Sequence, residues 1–287
     1  MATRGARARL RIGVAKLASC DGCQLTLLDL EEELLAIAER VDVVEFPEAS
    51  SIRSAGPYDV LLVEGSVSTP DQASEIAELR RQAKMLVTIG ACATAGGIQA
   101  MRNWSDHEAF RTAVYPRPEL VESLATATPV SDHVQVDAAL GGCPISADQL
   151  REVLAALLAG RRPQIREEAV CLECKRRGYV CVMVSAGTPC LGPLTQTGCG
   201  ALCPAFGRGC YGCFGPREQP HVDSLGRTLA ARAEGPADVA RLFAGFTGYA
   251  PAFRRMVDAY GGPPGRTDPV PDAPQAAGAG GAGDARR

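Results

Sequence analysis

Asp59-Val-Leu-Leu-Val-Glu-Gly-Ser-Val67 (DVLLVEGSV) decides the fold. Val60 to Val63 are consecutive apolar residues with no polar alternation, and the run stops at Glu64-Gly65. An apolar run this short reads as a strand buried on both faces, as in a parallel sheet covered by helices. The flanks agree. Upstream, Leu10–Ala18 is an apolar, strand-like run, Leu27, Leu30, Leu34 and Ile37 recur at helical spacing, and Val41–Phe46 is β-rich. Downstream, Asp71–Ala83 is helical, with Ala73, Ile76, Ala77 and Leu79 on one side, and Met85–Ile89 is a strand. His133–Val136 reads as a further short strand, and Ala147, Leu150, Val153, Leu154, Leu157 and Leu158 form a helical stripe. Strands separated by helices predict an α/β fold with a flavodoxin-like parallel sheet.

This domain is expected to span residues 1–165. Arg161–Glu168 is charged, contains Pro163 and reads as a link. An irregular domain follows over 166–261. Eight cysteines lie from Cys171 to Cys213 among glycines and prolines. That segment has too few apolar side chains for a core, and metal clusters would hold it instead. A helical pair resumes with Val239, Leu242, Phe243 and Phe246, then Phe253, Met256, Val257 and Tyr260. Core packing is its plain reading, a partner-facing surface the sharper one. Residues 262–287 are Gly, Ala, Pro and polar residues, a composition expected to be disordered.

The totals narrow the function. Among 287 residues, 46% are hydrophobic, enough for a sizeable core, and the formal charge is −3. Nothing there offers a basic field for nucleic acid or a polybasic patch for a membrane. Aromatic residues make up only 5%, too few for single-strand stacking platforms. Arg4, Arg7, Arg9 and Arg11 make the N-terminus basic, but no signal-type apolar region follows them. No apolar run approaches the ~20 residues of a membrane span. A cytoplasmic protein is expected. In a reducing compartment its twelve cysteines are not structural disulfides, and they point to metal or redox chemistry. Inert buried thiols would have no reason to fall into CxxC pairs.

Cys20, Cys23, Cys92 and Cys143 form the first candidate set, each after a strand-like run. Ligand sites of open α/β sheets lie beyond the carboxyl ends of strands, so these cysteines can converge. Gly22, Gly90, Gly141 and Gly142 would let backbone N–H groups approach a cluster's sulfurs. Glu64 ends a strand at the same edge, either near the cluster or as a solvated loop carboxylate. A four-cysteine zinc site is the rival, but zinc sites usually pair CxxC with a second CxxC, and here the other two cysteines are single. GACATAGG lacks the GxGxxG spacing of a dinucleotide loop. The later eight cysteines make two further sets of four. They lack the compact run of bacterial ferredoxins, and two zinc ribbons compete for them. His107, His133 and His221 are isolated and read as structural or surface residues.

Cys20-Asp-Gly-Cys23, DVLLVEGSVS, GACATAGG, GGCPIS, CLECK and PCLGPLTQTGCGALCPAFGRGCYGCFGP together resemble the small subunit of [NiFe] hydrogenases. They are most similar to the delta subunit of soluble, bidirectional, NAD(P)-linked enzymes, also called sulfhydrogenases. The resemblance covers roughly residues 10–260. It implies three [4Fe–4S] clusters: a proximal one on Cys20, Cys23, Cys92 and Cys143, a distal one on Cys171, Cys174, Cys181 and Cys190, and a medial one on Cys199, Cys203, Cys210 and Cys213. Cys171 falls where many periplasmic relatives place a histidine, and Cys203 where they have a proline and a three-iron cluster. All twelve cysteines would bind iron, with no zinc or nickel ligand among them.

The resemblance implies an electron-transfer subunit without a catalytic residue of its own. Its expected partners are a [NiFe] large subunit that splits H2, a flavin- and NAD(P)-binding subunit, and a further iron–sulfur subunit. No nucleic acid and no membrane insertion are expected. Two alternatives stand beside it: a subunit of a deazaflavin-linked hydrogenase or related complex, and a zinc-binding structural module. The complex I homologue has adjacent cysteines in its cluster motif, where this chain has CxxC.

Overall fold

The strand that decides the sequence reading is the centre of the sheet. In the computed structural model, which describes residues 9–52, 54, 56–232 and 235–261, β3 spans Tyr58–Glu64. It pairs in parallel with β1 (Leu10–Lys16) on one side and β4 (Ala83–Ile89) on the other. β2 (Val41–Glu45) and β5 (Ala138–Leu140) form the edges, giving the order β2-β1-β3-β4-β5, all parallel. This is the flavodoxin-like order, with its topological switch point between β1 and β3.

Both faces of the sheet are covered, as the unbroken apolar run of β3 requires. Val60 and Leu62 face one core with Val14, Ile89 and Leu27, joined by Leu150 and Leu154. Leu61 and Val63 face the opposite core with Leu86, Ile76 and Ala93. Helix α1 spans Gly22–Leu28, α2 Glu32–Ala38, α3 Pro70–Gln82, α4 Gly90–Ala95, α5 His107–Val114 and α6 Ala147–Ala159. Thr69 caps α3 in a reciprocal box with Gln72, and Pro70 occupies the first turn.

Two elements differ from expectation. The helix inferred from Leu27 to Ile37 is two helices, interrupted where Glu31 takes a φ of 47°. The strand expected at His133–Val136 lies instead at Ala138–Leu140, and 130–132 form a 3-10 turn. Asp137 sets that register. Its carboxylate accepts the Leu86 N–H at 2.7 Å and the Arg80 guanidinium at 2.6 Å, and its own N–H donates to Leu86 O. Val134 and Val136 still pack against the core, but from irregular backbone.

The cysteine-rich segment carries three short helices: α7 (Val170–Arg176), α8 (Val182–Ser185) and α9 (Leu202–Ala205). Helices α10 (Val222–Ala230), α11 (Pro236–Phe243) and α12 (Pro251–Ala259) close the described chain. The expected helical pair is α11 and α12, packed through Phe243 and Phe253, whose rings meet edge to face at 5.6 Å. Core packing is thus its role. The same core takes in Leu191 and Leu194 of the cysteine-rich segment and Trp104 of the sheet region. The tail expected to be disordered, and Arg4 and Arg7, lie outside the described residues.

Candidate functional site: three neighbouring groups of cysteines

The carboxyl edge of the sheet gathers the first four cysteines. Cys20 follows β1 and is exposed, whereas Cys23 is buried in the first turn of α1. Cys92 belongs to α4, which leaves the end of β4 directly, and Cys143 sits in the loop after β5. Burial pushes the Cys92 thiol up to about 11, and Cys143, Cys20 and Glu64 add to that shift through their charges. The Cys143 thiol is raised by burial first and then by Cys20 and Glu64. Cys23 is raised by burial and by Glu64, against the Ile145 N–H that donates to its sulfur.

Glycine is required around this group. A Cβ on Gly90 would stand 2.4 Å from the Cys23 sulfur, and one on Gly97 2.5 Å from the Cys92 sulfur; both residues have positive φ. Such positions admit only glycine at low cost.

Glu64 is not a solvated loop carboxylate. It is 2% exposed, accepts the Cys23 N–H at 3.0 Å on one oxygen and the Gln24 amide at 3.0 Å on the other. Gln24, fully buried, escaped the sequence reading, although a polar residue beside Cys23 at the start of an apolar helix was a visible signal. Its own side-chain oxygen is buried without a partner.

The later eight cysteines lie beside this group. Cys171 and Cys174 are in α7, Cys181 precedes α8 and is exposed, and Cys190 is buried in the loop beyond. Burial raises Cys171 to about 11, and Cys190, Cys174 and Cys181 contribute. Cys199 precedes α9, Cys203 lies in it, and Cys210 and Cys213 follow. Burial raises Cys213 to about 12, with Cys199, Cys143 and Cys203 adding to it, and the Cys143 N–H donates to its sulfur. Cys210 is raised to about 12, again by burial first, with Cys190 and Cys213 as charged neighbours.

The groups therefore form a row. Cys143 of the sheet edge touches Cys213, Cys199 lies within electrostatic reach of both Cys213 and Cys174, and Cys190 borders Cys210. Backbone donors point at the sulfurs throughout. Cys190 accepts N–H bonds from Cys210 at 3.1 Å and Gly192 at 3.4 Å, and Cys210 accepts one from Gly212 at 3.4 Å. Glu173, a further residue the sequence reading passed over, accepts the N–H groups of Gly198 and Ala201, each at 3.1 Å, and so orders the loop that carries Cys199.

This donor set fits iron–sulfur clusters. Thiolates are their ligands, N–H bonds to sulfur tune them, and glycine-lined cavities give them room. The histidines stand apart from the cysteines. His107 bonds Ser123 at 2.7 Å, His133 bonds Thr128 at 2.8 Å, and burial lowers the pKa of both.

Fold and site define a class of α/β oxidoreductase subunit. Residues 20–157 match the family described as NADH ubiquinone oxidoreductase, 20 Kd subunit. Sulfhydrogenase 2 subunit delta of Pyrococcus furiosus is 38% identical over 220 residues, covering 77% of this chain and 92% of its own. A subunit of the vhu F420-non-reducing hydrogenase of Methanococcus voltae is 31% identical over 273 residues, covering 83% of this chain and 95% of its own. A chain in the crystal structure of an NAD+-reducing [NiFe]-hydrogenase in the H2-reduced state superposes with a TM-score of 0.52 at 34% identity. That match covers 55% of this chain and 96% of the other. The chain belongs to the family of hydrogenase small subunits. Among the described residues, no helix is long and apolar enough to cross a membrane.

Proposed function

We propose that this chain is the electron relay of a [NiFe] hydrogenase, with three [4Fe–4S] clusters on its twelve cysteines. Cys20, Cys23, Cys92 and Cys143 hold the proximal cluster, Cys199, Cys203, Cys210 and Cys213 the medial one, and Cys171, Cys174, Cys181 and Cys190 the distal one. These groups supply one-electron transfer between a large subunit that splits H2 and a flavin- and NAD(P)-binding partner. The relative that carries the NAD(P) assignment is the NAD+-reducing enzyme. The chain's own residues separate, bury and bias the centres. Helices and loops hold the thiolates, N–H donors such as those of Ile145, Cys210 and Gly212 stabilise charge on sulfur, and Glu64 fixes the start of α1. We assign the compartment as cytoplasmic on the cysteine content.

One observation carries the reading: the cysteines fall into neighbouring groups, with the Cys143 N–H on the Cys213 sulfur and Cys199 within electrostatic reach of both Cys213 and Cys174. The test is metal and sulfide analysis of protein purified without oxygen. About 12 irons per chain with matching acid-labile sulfide are expected from three cubane sites. Stoichiometric zinc with little iron would sink the reading.

A further inference from the structure

Phe214 is buried at 6% exposure, yet it joins none of the apolar cores formed among the described residues. Glycines surround it instead. A Cβ on Gly198 would stand 2.3 Å from its ring carbon Cε1 and 2.7 Å from Cδ1, and one on Gly142 would stand 3.0 Å from Cζ. A Cβ on Gly141 would meet the Phe214 carbonyl oxygen at 2.6 Å. The ring is seated against backbone from two distant parts of the chain, an approach that only glycine permits.

Each contact lies one residue from a cysteine. Gly142 precedes Cys143, Gly198 precedes Cys199, and Phe214 itself follows Cys213. Cys213 and Phe214 are the central residues of a turn that the Gly215 N–H closes on Gly212 O at 2.9 Å. That turn is held from outside by the Gln196 N–H on Gly215 O at 3.0 Å and by the Thr247 hydroxyl on Gly212 O at 2.7 Å. The opposite wall is held as well. Gln149 of α6 donates its amide to Thr197 O at 3.0 Å, and Glu173 accepts the Gly198 N–H at 3.1 Å. A rigid ring packed between fixed loops transmits displacement from one to the other, so it acts as a spacer.

We infer that Phe214 is a positioning residue: it spaces Cys143 of the sheet edge from Cys199 and Cys213 and so sets the electron step between the two centres. This rests on the relay proposed above. In that step one electron leaves the sheet-edge cluster, which is oxidised by one, and enters the medial cluster, which is reduced by one. No bond or proton moves, and the ring is neither oxidised nor reduced. A competing account is that Phe214 only fills space. Filling acts on iron retention, whereas spacing acts on the interaction between two intact clusters.

The experiment uses the complex with its large subunit and two variants, neither at a cysteine. Phe214→Leu takes away the ring that spans both glycines. Gly141→Ala keeps the ring and drives a methyl group against the Phe214 carbonyl, wedging the Cys213 turn away from the sheet edge. Paramagnetic resonance of the fully reduced wild type is expected to show spin coupling between the sheet-edge and medial clusters. The splitting is expected to narrow in Gly141→Ala and to smear in Phe214→Leu. The rate of transfer between the two clusters after laser-flash reduction is expected to fall about tenfold in both, as misplacement of reacting centres does elsewhere. Iron content and the potential of each cluster should stay at wild-type values. A fully reduced wild type without spin coupling overturns the inference and needs no variant. So does Phe214→Leu with unchanged coupling and rate, or with loss of iron, which would make the residue a filler. Phe214→Leu decides alone if Gly141→Ala fails to hold its iron. A wild-type complex in which H2 reduces neither cluster overturns the relay itself, and the spacer with it.

Discussion

The backbone N–H of Cys210 donates to the sulfur of Cys190 across 3.1 Å, joining two cysteines assigned to different clusters. Cys190 also lies within electrostatic reach of Cys203 and Cys171. In the proposed assignment the border between the two later clusters is a hydrogen-bonded seam, and a change on one side is expected to be felt on the other. Cys190→Ser is expected to lower iron by about one per chain, from the distal cluster, and to shift the spectrum of the medial cluster. The sheet-edge cluster should keep its spectrum. Electron paramagnetic resonance of the reduced protein checks this, and an undisturbed medial signal would count against the seam.

Glu64 places a buried carboxylate against Cys23, a ligand of the proposed proximal cluster. Glu64→Gln removes that charge while keeping the size. The unpartnered oxygen of Gln24 can turn to accept the new amide, so the fold is expected to survive. Loss of a nearby negative charge favours the reduced cluster. Its potential is expected to rise by tens of millivolts, roughly, on Coulombic grounds. A redox titration followed by paramagnetic resonance measures the shift, and a fall in potential would contradict it.

The thiols give the cluster-free chain a definite pH response. Burial holds Cys92 and Cys171 up to about 11 and Cys210 and Cys213 up to about 12. The folded, unloaded chain therefore binds protons on these thiols more tightly than the unfolded chain does. The stability this contributes is complete below the unfolded thiol pKa of about 8.5 and is lost as pH rises toward the folded values. Where the cysteines carry iron they are thiolates throughout and contribute no such slope. The Tm of the unloaded protein is expected to fall between pH 8 and 11 by clearly more than that of the loaded protein. Parallel slopes would refute the argument.

Asp137 ties β5 to the rest of the sheet. Its acceptance of the Leu86 N–H and its pairing with Arg80 hold its pKa down against the burial that would raise it. The contribution is present above the ordinary carboxylate range and disappears as pH falls through the depressed value. Asp137→Ala is expected to cost about 1–2 kcal/mol, given its partial exposure. Since β5 leads into the loop of Cys143, iron should also be lost faster from the sheet-edge cluster. Urea unfolding and iron release by a chelator measure the two effects, and unchanged values in both would reject this role.

Much of this was legible because periodicity and spacing are local. The run Val60–Val63 is apolar on both sides, and the sheet places it at its centre between two cores. The Cys20–Cys23 pair follows β1 as the position of ligand sites in such sheets demands. What stayed hidden depends on long-range partners. β5 is fixed by Asp137 reaching Leu86, 51 residues away, and no pattern within 133–140 records that. The break at Glu31 interrupts a helical stripe whose apolar spacing continues across it. Glu64 resembles a loop carboxylate until α1 delivers the Cys23 N–H and Gln24 to it. Helix α10 went unread, although it carries Val222, Leu225 and Leu229 into the core formed with α11 and α12.

In the proposed assignment Cys203 decides whether the medial cluster has a fourth iron with a protein ligand. It lies in the first turn of α9, its charged neighbours are Cys199 and Cys190, and burial raises its pKa. Its carbonyl accepts the N–H groups of Phe206 and Arg208, so its backbone holds the turn whatever the side chain. Cys203→Ala therefore removes one thiolate with little effect on the surrounding chain. Each iron of a cubane takes one terminal ligand, and the iron left without one is readily lost. A three-iron centre is expected, with a new signal in the oxidised sample and iron lower by about one per chain. Cluster type and net charge set potential, so this centre should sit higher than the cubane it replaces. Cys143 still donates to Cys213, and the sheet-edge cysteines are elsewhere, so the proximal cluster should keep its own spectrum. With the medial potential raised, electrons still run downhill from H2 but face an uphill step on return. Dye-linked H2 uptake is expected to survive better than H2 evolution. Full iron content with no three-iron signal would remove Cys203 from the ligand set. The seam at Cys190 and Cys210 is then where the eight cysteines would have to be divided anew.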